Sequence, residues 1–190
     1  MSNWDTRIGT PLENDFFARP TVTVAQDLLG CWLIHESPEG RLAGRIVETE
    51  SYGGAEDSAS HACRGLTPRN RPMFGLVGHS YVYFIYGVHH CFNVVAHPQG
   101  IPGAVLIRAL ELADEQGRGP GKLCKSMGID RTLNAQALNG APLWLANDLT
   151  PGSSWTIHQG PRIGISKAKD LPHRFWWRDH PCVTSVSLTQ

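Results

Sequence analysis

Residues Arg45–Asn93 have the sequence RIVETESYGGAEDSASHACRGLTPRNRPMFGLVGHSYVYFIYGVHHCFN, and this stretch decides both the fold and the candidate site. It contains two glutamates on an apolar strand, an arginine cluster, histidines and all four tyrosines of the chain. Such side chains can hold a flat aromatic ligand against an acid or base, beside an anionic group. We expect the rest of the chain mainly to hold this segment in place.

The beginning of the segment predicts one strand of a β-hairpin. Residues 31–35 (CWLIH) and 42–51 (LAGRIVETES) are β-prone runs, and the turn sequence SPEG separates them. Side chains alternate along a strand, so four residues are expected to share one face: Ile46, Glu48, Glu50 and Tyr52.

The second half of the segment predicts a long loop followed by another hairpin. Residues 55–79 are rich in proline and glycine, and a loop of this length in a compact domain is usually functional or disordered. Its arginines and Phe74 favour a functional loop. Residues 81–86 (YVYFIY) and 91–96 (CFNVVA) predict a hairpin with Tyr86 near its tip.

The flanking sequence completes an α+β pattern. Short helices are predicted over residues 20–29 and after the Gly-Pro-Gly at 119–121. Further strands are predicted at 104–110, 143–145, 155–158, 163–165 and 183–188. The sequence therefore predicts a single compact domain over residues 1–190, with a curved, mainly antiparallel β-sheet, flanking short helices and a protruding β-hairpin.

Composition narrows the class of protein. The 190 residues are 41% hydrophobic and 18% charged, as in globular domains. The 17 basic and 17 acidic residues cancel, which argues against a generally basic nucleic-acid binder but leaves room for a local basic face. No signal-peptide pattern or membrane-length apolar run is present, so we expect a cytoplasmic, nucleoid-associated protein with reduced cysteines.

Glu50 is the leading candidate for acid–base chemistry. A carboxylate on an apolar strand, two residues before an aromatic ring, suits a general base that activates water. A glutamate that merely faces solvent is the alternative. Glu48 is the rival on the same face, but it lies farther from the tyrosine and the loop, so it ranks lower.

Histidine and cysteine spacing raises the possibility of a metal. The pairs His61-x-Cys63 and His89-His90-Cys91 resemble metal ligands, yet the HExxH and zinc-deaminase patterns are absent. We therefore expect neither a metal nor a cofactor. His61 could instead contact a ligand in the long loop, or be a polar surface residue.

Aromatic and basic residues of the segment suggest contact with DNA. Tyr86 lies beside a turn glycine, where burial is disfavoured, and an exposed ring there suits wedging between stacked bases. Four cations could bind phosphate: Arg64, Arg69, Arg71 and Lys122. The alternatives are a packed aromatic strand and a solvated loop.

The order of these motifs resembles the alkyladenine (3-methyladenine) DNA glycosylases of the single-domain type shared by bacteria and animals. The matching stretches cover nearly the whole chain and include RIVETESYGGAEDSASH, TPRNRPMF, YVYFIYGVHHCFNVV, VLIRALE, GPGKLC and LPHRFWWRDHPCVTS. The resemblance implies that Glu50 activates the attacking water and that Arg108 helps to hold it. It implies that Asn93 excludes normal guanine and that Tyr86 fills the gap left by the flipped base. Three residues would sandwich that base: Tyr52, His61 and Tyr83.

The activity implied is hydrolysis of the N-glycosidic bond of damaged purines in double-stranded DNA, by a monomer, without strand cleavage. No lysine or amino-terminal nucleophile occurs in the matched pocket motifs. Two other hypotheses remain open: a non-catalytic nucleic-acid-binding module on the same scaffold, and a zinc-dependent nucleobase hydrolase.

Overall fold

The predicted α+β fold with a curved antiparallel sheet is confirmed by the computed structural model, which describes residues 4–112, 117–150 and 155–184. Ten strands lie within these residues: β1 (Ile8–Pro11), β2 (Trp32–Ser37), β3 (Gly40–Tyr52), β4 (Ser80–Ile85), β5 (His89–Val95), β6 (Ala104–Glu111), β7 (Asn139–Gly140), β8 (Leu143–Asp148), β9 (Ile157–Gly160) and β10 (Arg174–Trp177). Every strand pair is antiparallel.

Strand β3 organises the sheet, whose order is β1-β8-β2-β3-β6-β5-β4. The two predicted hairpins are present as β2–β3 and β4–β5. The first part of β3 pairs with β2, and its last part pairs with β10, which brings Arg174 opposite Glu50. Because β6 pairs with residues 45–52 of β3 on the other side, the two glutamates lie between β6 and β10.

Helices cover one face of the sheet. They are α1 (Asn14–Phe17), α2 (Thr21–Asp27) and α3 (Pro120–Ser126). There are also 3-10 helices at His61–Arg64, Arg71–Phe74 and Arg131–Leu133, and the first two pack on the opposite face, where Ala62 and Met73 contact a separate cluster that includes Tyr81. The two predicted helices are confirmed, and each buries an apolar pair at i,i+4 spacing: Val24 with Leu28, and Leu123 with Met127. No helix of the described residues is long and apolar enough to cross a membrane.

Strand alternation sends the site residues to the face away from the helices. Phe92 and Val94 of β5 pack in the main core, whereas Cys91 and Asn93 line a cavity. In β6 the core residues are Val105 and Ile107, and Leu106 and Arg108 line the cavity. The helices thus fill one side of the sheet, and the other side is free to hold a ligand.

The prediction that Ile46 shares a face of β3 with Glu48, Glu50 and Tyr52 is wrong. Ile46 packs in the main core with the helices, whereas Val47 packs with Trp177 in a separate cluster. The register with β6 shifts between Ile46 and Glu48, and such a bulge interrupts the two-residue alternation. The shared face therefore begins at Glu48.

The structure differs most from the sequence prediction in the carboxy-terminal region. Residues 163–165 form no strand; they include a bend at 163–164 and line the cavity. The strand predicted at 155–158 runs from Ile157 to Gly160, and β10 was not predicted. The strand predicted at 183–188 falls mostly outside the described residues, and 183–184 are not in a strand.

Candidate functional site

A cavity of about 720 Å³ opens on the side of the sheet opposite α1 and α2. Its walls come from β4, β5, β6, the loop 58–73 and the segment 163–167. Eight of the sequence-predicted site residues line it: Tyr52, His61, Arg64, Arg69, Tyr83, Tyr86, Asn93 and Arg108. The long loop is thus a wall of the cavity.

Glu50 is fully buried and lies directly behind the residues that line the cavity. The Tyr52 hydroxyl donates to its Oε2 at 2.7 Å, and the Ile163 N–H donates to its Oε1 at 2.7 Å. Nη1 of Arg108 is 3.3 Å from Oε1. Every group that contacts Glu50 in this way is itself part of the cavity wall. A solvent-facing role for Glu50, the alternative from sequence, is wrong.

The environment of Glu50 favours proton acceptance. Burial raises the pKa of its carboxyl, because the charged form loses hydration. The Arg108 guanidinium opposes this shift, as do the hydrogen bonds from Ile163 and Tyr52. A buried carboxylate with a raised pKa, held beside a cavity, is typical of a general base.

Glu48 is also fully buried, but its oxygens are occupied by protein donors. Nε of Arg108 lies 3.0 Å and Nε of Arg174 2.7 Å from its Oε1, and the Thr184 N–H donates to Oε2 at 2.9 Å. Neither glutamate lines the cavity itself, but of the groups that contact Glu48 only Arg108 does. Because its oxygens are bound by two arginines and a backbone N–H, Glu48 is the less suited of the two to bind a water.

Aromatic rings form one end of the cavity. The His61 ring meets Tyr83 edge-on at 4.9 Å between centroids, and Tyr81 tilts against Tyr83 at 5.1 Å. The Tyr81 hydroxyl is 2.9 Å from Nδ1 of His61. Burial, together with the nearby charges of Arg69 and Arg64, lowers the pKa of His61, so its ring is neutral at neutral pH.

Asn93 is buried on β5 with its amide held in one orientation. Its Nδ2 donates to the Tyr81 carbonyl at 2.9 Å. The side chain also lines the cavity. A fixed amide in a cavity wall can exclude a ligand by shape, because it cannot rotate away without losing this hydrogen bond.

Tyr86 stands at the tip of the β4–β5 hairpin with 81% of its surface exposed. Tyr86 and Gly87 have φ values of 54° and 69°, as in a type I′ turn, and Val88 N–H donates to the Ile85 carbonyl. Behind the tip, His89 lies so close to Gly121 that a Cβ there would fall 2.8 Å from the imidazole ring. The hairpin is thus braced against the start of α3.

Only two of the four predicted phosphate-binding cations line the cavity. Arg64 and Arg69 line the cavity, and the Arg69 guanidinium lies 5.0 Å from the centre of the Tyr83 ring. Arg71 and Lys122 are exposed but lie outside the cavity lining. Lys167, which the sequence analysis missed, is an exposed residue of the lining.

An ion pair that the sequence analysis also missed holds the far wall. Arg162 forms a bidentate pair with Asp57, with 2.7 Å from Nη2 to Oδ1, and its Nη1 donates to the Ser51 carbonyl at 2.8 Å. The guanidinium stacks 4.6 Å from the Tyr52 ring. Arg162 precedes Ile163, so the pair also holds the N–H that binds Glu50. The only signal in the sequence was the stretch PRIGI at 161–165, which is a weaker match to the family that the sequence resembles than the stretches given above.

Within the described parts of the chain, no three histidine, cysteine, aspartate or glutamate side chains come together as metal ligands. The pairs at His61 and His89 therefore receive no third ligand from these residues.

Comparison with known proteins agrees with the geometry. The profile of the family described as Methylpurine-DNA glycosylase (MPG) matches residues 15–181. A Myxococcus xanthus protein named "Putative 3-methyladenine DNA glycosylase" is 46% identical over 176 residues, which cover 88% of this chain and 90% of that protein. A protein of the same name from Methanocella arvoryzae is 43% identical over 195 aligned positions, covering 91% of this chain and 95% of the relative.

Proposed function

The chain belongs to the methylpurine-DNA glycosylase family, and from this premise we propose that it excises alkylated or deaminated purines from double-stranded DNA. The substrates proposed are of the 3-methyladenine, hypoxanthine and ethenoadenine type. The observation that carries the proposal is the buried Glu50 behind the cavity wall, held by Tyr52 and Ile163 beside Arg108.

The proposed reaction is direct hydrolysis. The bond between the sugar C1′ and the purine nitrogen breaks, and its electron pair leaves with the base. Glu50 stabilises the positive charge that develops on the sugar and takes a proton from a water oriented with the help of Arg108. The water oxygen bonds to C1′, which leaves an abasic site and an intact DNA backbone.

The purine must leave the duplex to reach this site, which favours damaged or mispaired bases because they cost less to extrude. We propose that Tyr52, His61 and Tyr83 enclose the flipped base. The pKa of His61 is lowered by burial and by the charges of Arg69 and Arg64, so its ring is neutral and does not repel a cationic alkylpurine. The buried amide of Asn93 would exclude the exocyclic amino group of guanine.

The hairpin tip is proposed to replace the extruded base. Tyr86 projects its ring from a braced turn, as a wedge between base pairs requires. Arg64, Arg69 and Lys167 surround the cavity with positive charge that suits the DNA backbone. Arg71 and Lys122 are proposed to contact phosphates farther out. One copy of the protein is sufficient for one lesion, and we propose that it acts as a monomer associated with the nucleoid.

The experiment compares wild-type protein with Glu50→Gln on duplexes that contain hypoxanthine, ethenoadenine or a methylated purine. Glu50→Gln keeps the size of the side chain but removes the base, so release should fall below detection while lesion-DNA binding persists. Glu36→Gln, on an exposed strand position, is the matched control. Unchanged release by Glu50→Gln would overturn the mechanism.

Two further measurements separate the alternatives. Wild-type protein that binds these duplexes without releasing any base would support the binding-module hypothesis instead. Borohydride should trap no protein–DNA adduct; a trapped adduct lost in Lys167→Arg would show that a lysine attacks the sugar and that hydrolysis is not direct.

A further inference from the structure

Glu48 has no part in the reaction described so far, yet it is among the most completely buried charges of the protein. Burying a carboxylate is costly unless strong donors compensate for its lost hydration. Here they are two arginines and a backbone N–H, drawn from β6, β10 and the chain at Thr184. A carboxylate bound by this many donors holds those donors in place.

We propose that Glu48 is a positioning residue that holds Arg108 by its Nε and so presents Nη1 to Glu50 and to the attacking water. This inference rests on the proposed function. The guanidinium of Arg108 bridges the two carboxylates, with 3.0 Å from Nε to Glu48 and 3.3 Å from Nη1 to Glu50. Because a guanidinium is planar and rigid, fixing Nε fixes where its other nitrogens point.

Glu48 is itself held from the carboxy-terminal side. Arg174 donates through Nε to the same Oε1 that binds Arg108, and its Nη2 donates to the Thr184 carbonyl at 2.9 Å. The Arg174 guanidinium also stacks on Trp176 at 4.4 Å. The orientation of Arg108 thus depends on β10 and on residues that never touch the cavity.

Besides positioning Arg108, Glu48 affects Glu50 through its negative charge. The groups that face Glu50 electrostatically are Arg108, Glu48, Tyr52, Arg162 and Cys91. Burial is the main cause of the raised pKa of Glu50, and the negative charge of Glu48 adds to it, whereas Arg108 opposes it. Removing the Glu48 charge should therefore lower the pKa of Glu50 and make it a weaker base.

The test measures single-turnover base release against pH for two variants that separate charge from geometry. Glu48→Gln keeps an acceptor near Arg108 but loses the charge. We expect its acid limb to move to lower pH, because the negative charge that raises the pKa of Glu50 is lost. We also expect its plateau rate to fall about 10-fold, because the guanidinium is held less firmly.

Glu48→Asp keeps the charge but is one methylene shorter, so it cannot reach both arginines. Its plateau rate should fall about 10-fold while the acid limb stays at the wild-type position. The matched control is Glu111→Gln. Glu111 on β6 accepts a hydrogen bond from Arg45 on β3, so this variant removes a carboxylate from the same two strands but at a site away from Glu50. That variant should keep the wild-type rate and profile.

The two proposals fail in different ways. If the wild-type protein releases no base, the proposed function is wrong. If it does, and the profiles of both Glu48 variants superimpose on that of Glu111→Gln, only the positioning role is overturned. Should Glu48→Gln not fold, Glu48→Asp decides alone: a wild-type plateau rate overturns the inference, and a reduced rate at an unchanged acid limb supports it.

Discussion

The Asp57–Arg162 pair offers the sharpest test of how the cavity wall is held. Each oxygen of Asp57 accepts one bond from the guanidinium and one from the backbone: Oδ1 from Arg162 Nη2 and Ala59 N–H, Oδ2 from Arg162 Nη1 and Gly53 N–H. In Asp57→Asn one oxygen becomes an NH₂ group. Whichever one it is, one guanidinium donor and one backbone donor lose their acceptor.

The magnitude follows from these lost bonds. A hydrogen bond to a charged group contributes about 1.5–3 kcal/mol, and both lost bonds end on the charged carboxylate of Asp57. The expected loss in the free energy of unfolding is therefore about 3 kcal/mol, within the range for breaking a buried ion pair. For a chain of this length such a loss lowers Tm by about 10 °C.

The effect should depend on pH with a defined sign. Burial alone would raise the pKa of Asp57, but the bonds from Arg162, Gly53 and Ala59 outweigh it and hold the pKa below its ordinary value. The carboxylate therefore stabilises the fold above the unfolded-state pKa of about 3.9. This stability is lost as pH falls through the lower folded-state pKa, so the gap between wild type and Asp57→Asn should close there.

Urea unfolding followed by circular dichroism measures both quantities. Adding Arg162→Met completes a double-mutant cycle, in which a coupling energy of about 1.5 kcal/mol or more is expected. Glu36→Gln, which breaks an exposed pair with Arg41, is the control and should cost less than about 1 kcal/mol. Additive single variants, or an Asp57→Asn protein as stable as this control, would refute the reasoning.

Three further predictions concern the reaction. Tyr86→Ala should slow release from duplex DNA about 10-fold or more, and slow release from single strands less, because only the duplex needs a wedge; equal slowing in a single-turnover assay contradicts that role. Burial should place the acid limb of activity above the ordinary glutamate value of 4.5, since Glu50 must lose its proton to act. Tyr52→Phe removes a hydrogen bond that lowers this pKa, so the limb should move to still higher pH; a shift to lower pH contradicts the assignment.

The parts of the site that could be predicted from sequence lie on single strands and hairpins. Alternation along β3 places Glu50 and Tyr52 on one face, and alternation along β4 does the same for Tyr81 and Tyr83. The turn glycine after Tyr86 marks the hairpin tip. Each of these relations joins residues close in sequence, so the local pattern determines it.

The parts that could not be predicted are pairs of residues far apart in the chain. Arg162 meets Asp57 across 105 positions, and Arg174 meets Glu48 across 126. A lone arginine in a loop or a short strand carries no periodic signal of its partner. The bulge after Ile46 also could not be predicted from the sequence, because the extra residue becomes visible only in the pairing of β3 with β6.

These distant pairs explain why an acidic strand becomes a candidate catalytic element. Alone, the glutamates of β3 would be ordinary solvated carboxylates. The segment from Arg162 to Thr184 covers them, which removes water and raises the pKa of Glu50. It also supplies Arg174, and with Arg108 this balances the two negative charges that burial would otherwise make too costly. The carboxy-terminal region, with little regular structure of its own, therefore creates the basicity that the proposed reaction requires.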